Sequence, residues 1–480
     1  MTHNKDIYIT ADREGDPLVA DNKAIKSYLA TAHAYRASDH GGDRLRVHLV
    51  LRSQTLANAM RRLPLEQGLS ENVELYSYTM EDLWAMEALG IVGSIGVRLD
   101  REPIGFSSDK IVHFALFGAT DFAQSLIINT ALIAHYPNFC RDHTLRTRIT
   151  WVGDKYEDFV AFQQQYRVLL DNSWRRNIYI KNEDLQIEEL SPLYAIHRRE
   201  FVDIEWEFVE STPFSDIITY KIKKWAEDEN QLLTLAYCYN DNKRNLENAM
   251  ALPKEVLNKV PVLVKQSDDT TIKVLSQSNV FSNLIPIGIH SGHMCMKNFI
   301  HMAQCVNYAY CKMRTSTQEE QQSGAGEMVV ATELPCIEEL QRLWNNSSLT
   351  TPKRWSNIYC AFTISTKMHS LGFSMNDWRQ LIAIRDCDVQ ILAEVEHNRW
   401  SIEELILGYV PTTDEEHQEI LSDMSKRKIL KRQFKHDDLR HYSELGVDES
   451  GLSVKRYDVG LIRSLSLIAH SYYKEIANDE

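Results

Sequence analysis

The 480-residue chain reads as an α/β protein, with a parallel-sheet region followed by a mainly helical C-terminal domain. Three observations predict this. Short β-branched apolar runs alternate with stretches of helical periodicity over residues 1 to 290, as in successive βαβ units. Ile111–Phe117 is the continuous apolar run that a fully buried parallel strand needs, and a helix and second strand follow it at βαβ spacing. From Met294 onward the apolar residues recur at helical spacing.

Taken in order, residues 1–105 form an N-terminal α/β region. Ile7–Ile9 and Arg46–Leu51 are strand patterns, Ser53–Arg62 a helix, Val73–Tyr78 an alternating strand and Met80–Leu89 another helix. Gly93, Gly96, Pro103 and Gly105 then interrupt the pattern. Residues 106–313 form a second α/β domain, which is Rossmann-like. In it Ile111–Phe117 leads through Gly118–Gln124 into a helix over Ser125–His135, and Thr147–Val152 follows as the next strand. Asn177–Ile180 reads as a further strand, and the sharp alternation of Phe201–Val209 predicts an exposed or edge strand. A helix over Phe214–Glu227, a strand over Leu232–Tyr237, a helix over Lys243–Leu252 and strands at Val260–Val264 and Leu284–Gly288 complete the set.

A tight turn between a buried strand and a helix N-terminus, with an acidic residue after the second strand, is the layout of a dinucleotide site. The glycines of G-x-G-x-x-G let backbone approach a pyrophosphate at the helix dipole. This chain reads Gly118-x-Thr120-x-x-Ala123, with Gln124 next and Asp154 after the second strand. Two of the three glycines are missing and Asp121 adds negative charge, so a unit kept for its fold is favoured over one that binds NAD(P) or a related nucleotide.

Asn298–Met313 is apolar at helical spacing, and 314–334, with Ser323-Gly324-Ala325-Gly326, reads as a linker. Helices over Thr332–Trp344, Ile358–Leu371 and from Trp378 onward then build a domain over 335–480.

The formal net charge of −14 repels polyphosphate backbones and anionic membranes, which argues against duplex nucleic acid as a partner. The dense basic run Lys426–Lys428 with Lys431-Arg432 reads as a solvated helix face. The N-terminus lacks an apolar signal core and no stretch reaches the length of a membrane span, so the expected compartment is cytoplasmic. Eight scattered cysteines without a C-x-x-C pair suggest reduced, mostly buried thiols. His290, His293 and Cys295 share one loop, but no second ligand cluster has zinc-site spacing, and no metal is expected.

The most specific stretch is Ala393–Tyr409. On a helical wheel Ile391, Val395, Ile402, Leu405, Ile406 and Tyr409 form an apolar stripe, with Asn398 inside it in need of a hydrogen-bond partner. The opposite face carries Trp400 and Leu407 among Glu396, His397 and Glu404. A large aromatic among carboxylates suggests either a helix packed on two sides or the wall of a ligand pocket.

Residues from about 335 to 470 resemble the ryanodine-receptor-like domain, through Glu396-His397-Asn398-Arg399-Trp400, Glu404, Gly408-Tyr409 and then His436, Asp438-Leu439, Tyr442 and Leu445. Asp458 and Leu461 stand where that family starts its last helix with an acidic residue. Trp355-Ser356-Asn357 with Lys367 looks like the segment preceding this domain in bacterial fusions, whose N-terminal units are similar to NAD-binding domains that regulate potassium transport. The chain departs from the family at His436-Asp437, where a His-Pro pair is usual, and at Arg440-His441.

The resemblance implies a non-catalytic cytoplasmic sensor, a homo-oligomer that binds a small nucleotide-type signal, in some relatives within bacterial anti-phage immunity. Trp400 or Tyr409 would stack a base, Arg399 would hold a phosphate by its planar fork, and Glu396 or Glu404 would accept from ribose hydroxyls. His397, His436 and Tyr442 complete the candidate ligand site. Arg399 with Glu396 or Glu403 equally satisfies an ordinary helix ion pair. Two alternatives stand beside the sensor: an NAD(P)-dependent or nucleotide-processing enzyme, against which the absence of P-loop, G-x-S-x-G and H-E-x-x-H motifs counts, and a structural subunit of a larger complex.

Overall fold

The computed structural model describes residues 5–37, 44–62, 73–91, 96–181, 184–194, 199–288, 295–323, 334–346, 348–448 and 451–479. Three parallel strands, β1 (Lys5–Thr10), β2 (Leu45–Leu51) and β3 (Val73–Thr79), form a small sheet in the order β1-β2-β3. Between β1 and β2 lies a helix that the periodicity did not reveal, Pro17–Arg36. Its signal was local: Asp16 caps it by accepting from Leu18 N and Val19 N, and Pro17 opens it with a pre-set φ.

The larger sheet comprises β4 (Ile111–Phe117), β5 (Thr147–Gly153), β6 (Trp174–Lys181), β7 (Asp184–Leu190), β8 (Ile204–Glu210), β9 (Gln231–Tyr237), β10 (Val262–Lys265) and β11 (Leu284–Ile287), in the order β11-β10-β9-β4-β5-β8-β6-β7. Every pairing is parallel except β6 with β7. The mixed α/β class and the parallel sheet are therefore as expected. One strand is not. The segment expected at an edge, β8, lies between β5 and β6 and is largely buried. Its alternating carboxylates sit inside because each is paired, Glu205 with Arg148 Nε at 2.5 Å and Glu207 with Lys221 Nζ at 2.8 Å.

The helix expected to end at Met313 runs over Cys295–Ser323, through the first part of the stretch read as a linker. Residues 324–333 and the His290–Met294 loop lie outside the described residues. Shorter helices follow, Ile337–Trp344, Thr351–Phe362 and Ile364–Ser370, then the long Asp386–Ile406 helix, and finally Ser425–Arg432, Arg456–Arg463 and Leu465–Asp479. Among the described residues no helix is long and apolar enough to cross a membrane.

One apolar cluster joins the sheet to these helices. Phe114, Trp151, Trp344, Trp355, Ile402 and Ile468 all belong to it. The small sheet is tied in by polar bonds at its margin: Trp344 Nε1 donates to Tyr76 Oη at 3.1 Å, Arg61 Nη1 donates to Tyr359 Oη at 2.8 Å, and the Arg61 guanidinium lies 4.2 Å from the centre of the Trp355 ring.

Candidate functional site

The Asp386–Ile406 helix ends at Gly408, whose φ of +86° supplies the left-handed turn that closes it. Tyr409 N donates to Glu404 O across that turn. The chain then forms a two-residue strand, β12 (Val410–Pro411), parallel to β13 (Lys435–His436). This pairing brings His436 to Trp400, with ring centres 4.9 Å apart and edge to face. Asp437 fixes the following loop, accepting from Thr412 Oγ1 at 2.8 Å and from Arg440 Nη2 at 2.8 Å.

The helix is not solvated on its second side. Glu396, His397, Arg399 and Glu403 are all buried, where the Thr351–Phe362 and Arg456–Arg463 helices pack against this one. Four charges satisfy one another there. Arg399 donates from Nε to Glu396 Oε1 at 2.9 Å and from Nη1 to Glu403 Oε2 at 2.8 Å, while Lys367 Nζ stands 2.8 Å from Glu396 Oε2. Ser356 Oγ donates to Glu403 at 3.1 Å. Arg399 and Lys367 hold the Glu396 carboxyl down at about 2 against the opposing effect of burial. The guanidinium edge that would fork a phosphate is taken by Glu396, so Arg399 is an organiser of this floor.

Above the floor lies a cavity of about 970 Å³. It is lined by Glu396, His397, Arg399, Trp400 and His436 of the expected ligand set. Glu404, Tyr409 and Tyr442 are not on its wall. Tyr409 packs on Phe434 and His436 behind the cavity, and Tyr442 lies beside His397, ring centres 5.7 Å apart. Asn398 is buried, and its Nδ2 finds no hydrogen-bond partner among the described residues.

Five further lining groups lie outside the expected ligand set. Arg427, Lys428 and Lys431 lie on a helix without a buried residue, so the solvated face is as expected, and they also reach the rim of the cavity because the Ser425–Arg432 helix packs beside β13. Arg427 is paired with Asp438. Lys431 has no carboxylate within ion-pair distance among the described residues, and its Nζ instead lies 3.0 Å from His436 Nε2. Burial together with Lys431 and Arg427 pushes the His436 pKa well below the usual range, so its ring is neutral.

The fourth group is Asp458, at the start of the Arg456–Arg463 helix. Its carboxyl makes no hydrogen bond or ion pair among the described residues. Burial, with Glu396 nearby, raises its pKa well above the ordinary carboxylate value. Asn307 also lines the cavity with a buried amide whose Nδ2 has no partner among the described residues. Basic spacing could have flagged the cations, and the resemblance marks Asp458 only as the acidic start of the last helix; no local pattern marks Asn307, which joins it through packing.

The expected dinucleotide turn has the right place, at the ends of β4 and β9 where the strand order reverses. Its polar groups are already engaged. Thr120 Oγ1 accepts from Ala123 N at 3.1 Å and donates to Cys238 O at 2.8 Å. Asp154 receives Arg244 Nη2 at 2.8 Å on both oxygens, and that guanidinium is 3.6 Å from the Tyr239 ring centre. Gly118 has φ +101° and packs so closely on Tyr239 that an added Cβ would lie 2.9 Å from its backbone nitrogen. Gln124 is half-buried in the helix behind. These residues do not fit NAD(P) as they stand.

No family model, no curated protein and no solved structure matches the chain. Among the described residues no group of histidine, cysteine and carboxylate side chains could hold a metal.

Proposed function

We propose that the chain is a non-catalytic cytoplasmic sensor whose C-terminal, ryanodine-receptor-like domain takes a small nucleotide-type signal into the cavity beside Trp400, and that it acts as a homo-oligomer. The observation that carries this is the sharing of one cavity of about 970 Å³ by the Trp400 ring and, at its exposed rim, the Lys431 ammonium, which has no carboxylate within ion-pair distance among the described residues. That volume is at the upper end of small-molecule sites. Trp400 supplies a stacking surface, Lys431 supplies charge for phosphate, and Asp458 with Asn307 supplies hydrogen bonds for a sugar or base edge. The resemblance adds a setting in bacterial anti-phage defence.

Isothermal titration against ADP-ribose derivatives, cyclic nucleotides and dinucleotides tests this. Binding of one member is expected, weakened about tenfold or more by Trp400→Ala, since stacking contributes roughly 1–3 kcal/mol per base. Lys431→Gln is expected to weaken it further at low salt than at high salt. A folded protein that binds no member of the panel would overturn the sensor.

A second reading, a nucleotide-processing enzyme, draws on the neutral His436 and the raised Asp458 carboxyl in the same cavity, since shifted groups cluster at catalytic sites. Turnover of a bound nucleotide that Asp458→Asn abolishes would establish it in place of sensing.

A further inference from the structure

The two edges of the eight-stranded sheet are finished differently. At one end β11 is four residues long and carries Pro286, which removes a backbone donor from the edge. At the other end β7 is seven residues long, Asp-Leu-Gln-Ile-Glu-Glu-Leu, with no proline and no lysine. Its outer backbone edge is unpaired among the described residues. Unprotected edges of this length template a further strand, and soluble proteins normally blunt them.

The side chains agree. Ile187 stands opposite Ile178 and Leu185 opposite Ile180 in the β6–β7 pair. Ile178 is buried in the sheet's second apolar cluster, so Leu185 and Ile187 share that face of the sheet, yet they remain 51% and 60% exposed.

We infer that β7 pairs antiparallel with β7 of a second copy of this chain about a two-fold axis through Ile187, making one continuous sheet. Self-complementarity selects the occupant and charge the register, because a second β7 can be set against the first with no carboxylate opposing another. An axis perpendicular to the sheet keeps paired side chains on the same face, so the centre must fall on a residue. Centred on Gln186, Asp184 would oppose Glu188; centred on Glu188, that carboxylate would oppose itself. Centred on Ile187, Gln186 faces Glu188, Leu185 faces Glu189, and no carboxylate opposes another. The apolar residues Leu185 and Ile187 of both copies then adjoin on one face. This surface is independent of the cavity and of what fills it.

Sedimentation velocity of the full chain without added nucleotide, at concentrations of about 1 to 100 µM, tests the proposal, because a single strand pairing gives a small interface with a dissociation constant on the order of micromolar. Wild type is expected to shift from monomer to dimer across this range. Ile187→Lys and Ile187→Glu, at an exposed position, should each raise the dissociation constant about tenfold by placing like charges at the axis, and their equimolar mixture should restore the dimer. Gln186→Glu should weaken it too, by setting carboxylate against carboxylate at two places. A wild type that stays monomeric, or substitutions that leave the dimer unchanged, would overturn the inference; failure of the mixture to recombine would overturn the register.

Discussion

Replacing Glu396 by glutamine removes one charge from a buried set of four. Lys367 and Arg399 contribute two positive charges, Glu396 and Glu403 two negative ones, and all four side chains are almost wholly out of water. The substitution keeps the shape and leaves the Lys367 ammonium facing a neutral amide at the 2.8 Å position now held by Oε2. Breaking a buried pair from one side costs about 3–5 kcal/mol, because the surviving charge stays desolvated. At about 2.1 cal/mol/K per residue, the unfolding entropy of 480 residues is roughly 1 kcal/mol/K, so a Tm fall of about 3–5 °C is expected if the chain unfolds in one transition. Differential scanning calorimetry at pH 7 reads this directly. A Glu396→Gln protein that melts within 1 °C of wild type would refute the claim that these charges depend on one another.

Three further outcomes follow from particular side chains. Burial raises the Glu404 pKa to about 7, so at pH values between its ordinary 4.5 and 7 the folded protein holds a proton that the unfolded chain has released. The wild type therefore loses stability relative to Glu404→Gln as pH rises through that window. The glutamine variant should gain up to about 3 kcal/mol at pH 7 and nothing below pH 4.5 in urea titrations, and a pH-independent difference would contradict the assignment. Gly460 packs against Met313, and an added Cβ would fall 1.5 Å from its Sδ. Gly460→Ala should cost about 1–3 kcal/mol, measured by urea unfolding, with relief from Met313→Ala in the double variant. Gly118→Ala adds strain at φ +101° to a backbone clash with Tyr239, and a loss of at least about 2 kcal/mol is expected in the same assay.

Much of the sheet was legible in the chain. Ile111–Phe117 and Val73–Thr79 are continuous or alternating apolar runs bounded by turn residues, and both are strands. What failed did so for physical reasons. The Glu205 and Glu207 alternation looks solvent-facing unless Arg148 and Lys221 are known to neutralise it, and those partners lie on other elements. β7 is so polar that periodicity passes over it, since its apolar side chains are exposed in the isolated chain. In the candidate site, Trp400 and His436 were legible as residue types, and the structure places both on the cavity. Arg399 was misjudged in emphasis: its i, i+3 and i, i+4 carboxylates were visible, but only burial decides that they occupy it. Asp458 and Lys431 line one cavity from positions 27 apart in sequence, a separation at which no local motif operates.

The cluster shared by sheet and helices bears on how the chain can be divided. Trp344, Trp355 and Ile402 are packed with Phe114 and Trp151, so a cut near residue 334 would strip the covering from both fragments at once. Neither half would keep a closed core, and expression of the C-terminal portion alone would yield aggregate. Transplanting the cavity into another protein would therefore require carrying β4, β5 and the Asp121–Ile133 helix with it.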